Sequence, residues 1–595
     1  MATVDEQEAM RRARAALQGG TPAQALADLW SFVERTHLSA GEVAEALREM
    51  ARVYESLGRE RAVATILLFL GEAEAAYRAS AHPTDRARAA IANGRLADAA
   101  RHYVEAGWLG HGAIQLEDAG DDRGARVLWE RLAADPRLRK DLYTSGLVHF
   151  NLSRACERLG DRAAAREAVA QSMHLLEGAA DGFEARGLRE RAFDCYQILL
   201  TLGRDGAFEN LAEGYLNCIR VLKEDNLKYY VLQYFEDFQG LALERGELHA
   251  AATLFREAAE FARRHALPYE DHYRRRAGET LVRAAERAIA EGAPHEMAEN
   301  AYAAAIDAYN DLGAYAAVRD VYARLAELDL GDKRKARYAR LHERLRGEED
   351  EPRQLVAFPD YLRMDSAYPE IWRFDVIEWE QEGDAAETMG EVLLDPKWPE
   401  FTRRRALLCR LHLLGCGETP LTERTLVALA HHLGRVEIYA SLAPLERLVE
   451  DPRPKVRAAC LRAARQLFFK RSFVLVMRGL RDEDEAVRRE AIEAVSALHF
   501  GHAFDPLQRI YRSSTDRQVR SKALASIGKI PSLEAAELLI DVLRQGDAAE
   551  RALAADLLAR AEHPEVDALL RRSLAHETGA VREALERVLR LRSPA

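Results

Sequence analysis

The chain has 595 residues, 48% hydrophobic and 31% charged, with a formal net charge of −12. That length exceeds one compact core and calls for several domains or an elongated array, and the hydrophobic fraction excludes a largely disordered chain. Aromatic residues reach only 7%, and the dominance of Ala, Leu, Arg and Glu favours packed helices over sheets.

The opening "MATVDEQEAMRRARAALQGG" leads into an amphipathic helix and lacks a signal-peptide core. The most apolar run, "ILLFL" at 66–70, is far shorter than the roughly 20 residues that span a bilayer. Six cysteines at 156, 195, 218, 409, 416 and 460 form no CxxC pair. A cytoplasmic protein without a membrane span is expected.

One motif recurs through the first half: Gly, then a small residue five positions on, then a large one four further. It reads Gly94-Ala99-Tyr103, Gly120-Ala125-Trp129, Gly187-Ala192-Tyr196 and Gly246-Ala251-Phe255. Glycine permits the positive φ of a tight inter-helix turn, the small residue admits a neighbouring helix, and the aromatic fills the groove on the same face. The stretch "FQGLALERGELHAAATLFREAAEFARRHALP" (238–268) resembles the tetratricopeptide repeat, and that resemblance extends over 1–345. It implies a concave groove for extended peptides, with Asn151 at a peptide-contacting position of that family. Residues 346–368, an acidic run with prolines and no helical periodicity, form a joint. Helical patterning resumes over 369–450.

From 451 to 595 a shorter period is plain. Arg457, Arg488, Arg520, Arg551 and Arg582 follow one another at spacings of 31, 32, 31 and 31, inside "PKVRAACLRAA", "EAVRREAIEAV", "RQVRSKALASI", "AAERALAADLL" and "GAVREALERVL". A small residue stands three after the first four arginines, and Asp484, Asp516 and Asp547 stand four before three of them. These repeats closely resemble the HEAT repeat, regular over 451–595 and degenerate over 369–450. In that family the Asp of the turn and the Arg of the second helix bond between neighbouring repeats, which implies a structural ladder for the five arginines. The expected fold class is all-α, a two-part α-solenoid with a tetratricopeptide-like superhelix followed by a HEAT-like one.

Motifs for chemistry are sparse. There is no GxxxxGK[ST] phosphate loop, and "GWLGHGA" (107–113) suits an inter-helix turn. Cys409, His412 and Cys416 offer zinc-ligand chemistry, but register against the repeats assigns Cys409 to the core and His412 to an exposed position. No catalytic residue, metal or cofactor is expected.

Charge is uneven. Residues 451–595 hold 26 Lys+Arg against 21 Asp+Glu, and the first 450 hold 59 against 76. Within 452–529 the ratio is 17 to 8. With the ladder arginines facing inward, Arg462, Arg465, Arg489, Lys522 and, nearby, Lys529 point outward, accompanied by Glu493. Phe468, Phe469, Phe473, Phe500, Phe504 and Tyr511 in this segment are assigned to the core. The expected function is a non-enzymatic interaction scaffold or adaptor that takes a protein partner, an acidic segment, on its concave surface. The alternatives are a nucleic-acid-binding HEAT-like protein, or by resemblance a HEAT-like lyase or glycosylase or a subunit of one.

Overall fold

The computed structural model describes residues 11–592 apart from 13, 16–17, 35–37, 187, 205–207, 225–226, 360–369, 382–383, 417–421, 438 and 501–502. The chain is all-α and 78% helical, with 32 helices and no strand among the described residues. Helical hairpins stack in succession, as in an α-solenoid. Contacts divide the chain into two compact units, residues 1–175 together with 369–595, and residues 176–368.

The first unit opens with the hairpins Pro22–Val33/Ala40–Ser56, Glu60–Phe69/Ala73–Ala79, Pro83–Ala92/Leu96–Glu105 and Leu109–Asp118/Asp122–Ala133, each helix packed on the next. Gly94 and Gly120 adopt φ of +70° and +79°, the left-handed region that lets a helix stop and the chain reverse within a few residues. Ala99 and Ala125, and after them Tyr103 and Trp129, are fully buried. Ala192 and Tyr196 of the same motif are buried as well, while Gly187 lies outside the described residues.

Helices Glu370–Glu380, Ala385–Leu394 and Glu400–Leu413 return to this first set. One hydrophobic core runs from Leu26 through Leu47, Ile66 and Ala89 to Leu393, Leu407 and Leu411. Charges are buried together beside it: Arg88, Arg410, Asp85 and Glu387 are all 3% exposed or less. Arg88 reaches Glu387 at 2.5 Å and Glu391 at 2.8 Å, Arg410 reaches Asp85 at 2.6 Å, and Arg61 bridges Asp85 and Glu387. Burial by itself would raise the Glu387 pKa, but Arg88, Arg410 and Arg61 outweigh it and hold the carboxyl far below the usual range. The cluster depends on Gly390, because a Cβ there would run into Arg410 Nη1 and stand 2.7 Å from the Arg88 guanidinium carbon. Glu380, also buried, accepts the backbone N–H groups of Gly110 (2.6 Å) and His111 (2.9 Å). It thereby supplies the negative charge that the N-terminus of Leu109–Asp118 favours, across 270 residues of sequence.

A second core continues from Met389, Ala406 and Cys409 through Leu429, Leu433 and Ala463 to Val487 and Ala491. Upon it stack the hairpins Leu442–Leu448/Pro454–Ala464, Ser472–Gly479/Glu485–Ala497, Phe504–Ser513/Arg517–Ile527, Leu533–Gln545/Ala548–Arg560 and Val566–His576/Gly579–Arg592. Their second helices pack on one another in order.

The second unit holds the hairpins Arg189–Gly203/Phe208–Glu224, Lys228–Glu244/Leu248–Arg264, Glu270–Ala290/His295–Asn310 and Tyr315–Glu327/Asp332–Arg344. After them the chain runs without helix from 348 to 359. The Asp350 carboxylate accepts the N–H of Ala316 at 2.8 Å, Glu351 N–H donates to the Gly313 carbonyl at 2.9 Å, and Phe358 is buried edge-on to Tyr269. Of the joint expected over 346–368, the stretch 348–359 is thus a non-helical strap pinned at both of its ends, and residues 360–368 lie outside the described residues.

Candidate interaction surface

Four of the five ladder arginines donate to backbone carbonyls ahead of their own helices. Arg457 donates to the carbonyls of Asp451 and Pro452, both at 3.0 Å, and Arg488 to those of Asp482 and Glu483 at 2.8 and 2.7 Å. Arg520 donates to Tyr511 O at 3.0 Å and Arg582 to Leu574 O at 3.3 Å. Arg457 and Arg488 therefore tie down carbonyls in the turn leading into their own helices, and Arg520 and Arg582 carbonyls in the last turn of the preceding helix, groups that a helix end leaves without partners. Two arginines add the expected bond to the next repeat: Arg457 is bidentate to Asp482 at 2.8 Å, and Arg520 reaches Glu550 at 2.7 Å. The aspartates four residues before the arginines are not those partners. Asp484, Asp516 and Asp547 cap the N-termini of their helices, accepting backbone N–H groups from Ala486 and Val487, Gln518 and Val519, and Ala549 and Glu550. Arg551 is exposed and departs from the expected ladder.

The outward residues are positioned by the same helices. Arg462 and Arg465 lie 3.5 and 3.4 Å from Glu490 on the next repeat, and Lys522 lies 3.5 Å from Glu493. Arg489 pairs with Glu485 one turn back on its own helix at 3.0 Å, and Lys529 is exposed. Glu490, two positions after Arg488, belongs to this face and corrects the expectation of a single acid there. Two arginines nonetheless share that one carboxylate, and long-range steering survives such exposed pairs because each is weak.

Two expectations change, for Asn151 and His412. Asn151 is 3% exposed and donates to Leu147 O at 2.9 Å in its own helix, so it presents no peptide contact. His412 is not exposed: its ring lies 4.5 Å from Trp30 and 6.0 Å from His432. Cys409 and Cys416 are buried in different cores, and no group of three or more His, Cys, Asp or Glu side chains among the described residues is placed to hold a metal.

The aromatics of the cationic segment split. Phe473, Phe504 and Tyr511 are buried as expected, but Phe468 is 54% exposed, and Tyr439, ahead of the segment, is 44% exposed. Tyr439 and Phe469 meet edge-on at 5.5 Å, Phe468 and Phe500 edge-on at 6.2 Å, and Phe500 and Phe473 at 6.3 Å. Tyr439, Phe469 and Phe500 fall 30 and 31 residues apart, each a few residues after the end of a helix: Glu423–Val436, Pro454–Ala464 and Glu485–Ala497. That coincidence with the repeat period was the sequence signal for these three rings.

Fold and ladder together define a helical-repeat protein. A family model described as HEAT repeats matches residues 441–524, a span that includes Arg462, Arg465, Arg489 and Lys522 of the cationic face. No curated protein matches the chain. Among solved structures, a circular tandem repeat protein with novel repeat topology and enhanced subunit contact surfaces is 14% identical, covering 99% of this chain and 97% of its own at a TM-score of 0.12. She4p is 12% identical, covering 99% and 96% at a TM-score of 0.14. Among the described residues, no helix is long and apolar enough to cross a membrane.

Proposed function

We propose that this protein is a non-enzymatic interaction scaffold whose 452–529 repeats hold an acidic segment of a protein partner. The observation that carries this reading is the charge imbalance of that segment, 17 basic residues to 8 acidic ones in a chain of net charge −12. With the ladder residues Arg457, Arg488 and Arg520 set aside, 14 basic residues remain against 8 acidic ones, and Arg462 and Arg465 share Glu490. Stacked hairpins expose long faces suited to extended peptides, and a cationic face raises the rate at which an anionic segment arrives. The glycine-spaced hairpins of 1–345 act in this reading as a tetratricopeptide-like second scaffold. Six buried thiols fit a cytoplasmic setting.

The test uses the full-length protein and a fluorescent polyglutamate probe, with binding followed by anisotropy at low and high salt. The triple variant Arg462→Glu, Arg489→Glu, Lys522→Glu is expected to bind about tenfold or more weakly at low salt, with a shallower salt dependence and an unchanged melting temperature. Equal affinity for the two proteins at low salt overturns the assignment of this face.

A further inference from the structure

We infer that one end of the second unit is a docking site for an extended segment of a partner protein, and that the strap 348–359 occupies this site in cis. The segment it takes carries an acid, an arginine three residues on and an aromatic five further, as Asp350, Arg353 and Phe358 do. The site lies wholly within the second unit and stands or falls apart from the cationic face.

Two turns at the same end of the hairpin stack form it. Residues 311–314 join the hairpin Glu270–Ala290/His295–Asn310 to the one after, and residues 265–269 join it to the one before. At the first turn, helix Tyr315–Glu327 starts after Ala314, which offers no side-chain cap. The Asp350 carboxylate supplies the cap instead, accepting the Ala316 N–H at 2.8 Å, where the helix dipole favours an anion. Beside it, Glu351 N–H donates to the Gly313 carbonyl at 2.9 Å. Gly313 has φ +63°, and a Cβ there would collide with the Glu351 side chain. At the second turn, the Asp271 carboxylate accepts from Arg353 at 3.2 Å, and buried Phe358 covers Tyr269 edge-on with ring centroids 5.4 Å apart. The floor is therefore an ordered set: a helix end for an acid, a carboxylate for a cation, a ring for an aromatic. A segment laid the other way would set its arginine against the helix N-terminus and its acid against Asp271, and both contacts repel.

The strap is held as an exchangeable occupant rather than as core. Residues 348–355 and 357 are exposed. Among the described residues, the Glu351–Gly313 bond is the one backbone hydrogen bond that ties 349–359 to the hairpins. A segment with so few buried contacts opens at low free-energy cost. A partner segment that repeats its three anchors then competes for the same groups, against a tethered strap whose effective concentration is on the order of millimolar.

The probe is a fluorescent synthetic peptide of residues 348–359, EEDEPRQLVAFP, titrated with full-length protein and followed by anisotropy. The Phe358→Ser protein, whose strap is loosened, is expected to bind it about tenfold or more tightly than the unaltered protein, because the tethered competitor is weakened. If that variant melts early, Asp350→Ser combined with Arg353→Ser, at two exposed positions, gives the same reading. A peptide of reversed order carries the same charge, so capture by the cationic face would be equal for both, and only the forward peptide is expected to show the gain. Adding Asp271→Arg to the loosened protein is expected to weaken the forward peptide about tenfold and to favour a peptide carrying Arg353→Asp. Binding that is equal for the unaltered and loosened proteins, or absent from both, overturns the site. So does an equal gain for the reversed peptide, or indifference to Asp271→Arg. A dimer of the unaltered protein that excess peptide dissociates assigns the site to the strap of a second copy and overturns a separate partner.

Discussion

At His412, burial under Trp30, and then the neighbouring His432, press the imidazole pKa down to about 4. His432 Nε2 lies 3.1 Å from Glu34, and that hydrogen bond lowers the Glu34 pKa despite burial. An unfolded His412 takes up its proton near 6.5, so between about pH 6.5 and 4 the unfolded state binds more protons and stability is lost as the pH drops. Glu34 acts in the same direction, losing its stabilising charge only at the acid end of this window. His412→Leu is therefore expected to flatten the decline of melting temperature between pH 7 and 4.5 relative to the unaltered protein. An equal decline in both proteins would mean that this imidazole is not kept neutral. In the sequence, register against the repeats alone sent His412 to solvent. Its actual cover, Trp30, comes from a helix nearly four hundred residues earlier, with no local trace in the sequence around 412.

Within single elements, much was legible. The 31-residue arginine period located the second helices of the repeats, and glycine followed by alanine and an aromatic located the buried faces of the first hairpins, because both patterns are local consequences of turn and packing geometry. The exposure of Phe468 was not legible, since a phenylalanine at an apolar register looks the same whether the following loop covers it or not. The helix Ala385–Leu394 illustrates the opposite case, an element whose sequence misleads. An exposed mid-helix Gly→Ala change stabilises by about 1 kcal/mol. At Gly390 the added methyl would strike Arg410 and Arg88 and push apart a buried ion cluster, so Gly390→Ala is expected to destabilise by about 2–4 kcal/mol. A denaturant titration in which this variant gains stability would show that the two guanidiniums do not converge there.

On the scale of the whole molecule, the repeats matched as HEAT stand on a base made by the chain's return to its beginning. The core that carries residues 423–491 starts at Met389, Ala406 and Cys409, and the helices bearing those residues are fixed to Glu60–Phe69 and Pro83–Ala92 by Arg61, Asp85, Arg88, Glu387 and Arg410. These partners lie 299 to 326 residues apart wherever they cross from the first set to the return, which is why neither half of the sequence advertised the seam. Removing one member of such a cluster leaves another charge buried without its counterion, a loss of about 3–5 kcal/mol. Hydrogen exchange on the full-length Glu387→Gln protein tests this most directly, since local opening reports which helices share one cooperative unit. The expected result is a joint loss of protection in Glu60–Phe69, Pro83–Ala92, Ala385–Leu394 and Glu400–Leu413. Loss confined to Ala385–Leu394, with the helices before residue 93 protected as in the unaltered protein, would contradict a shared base.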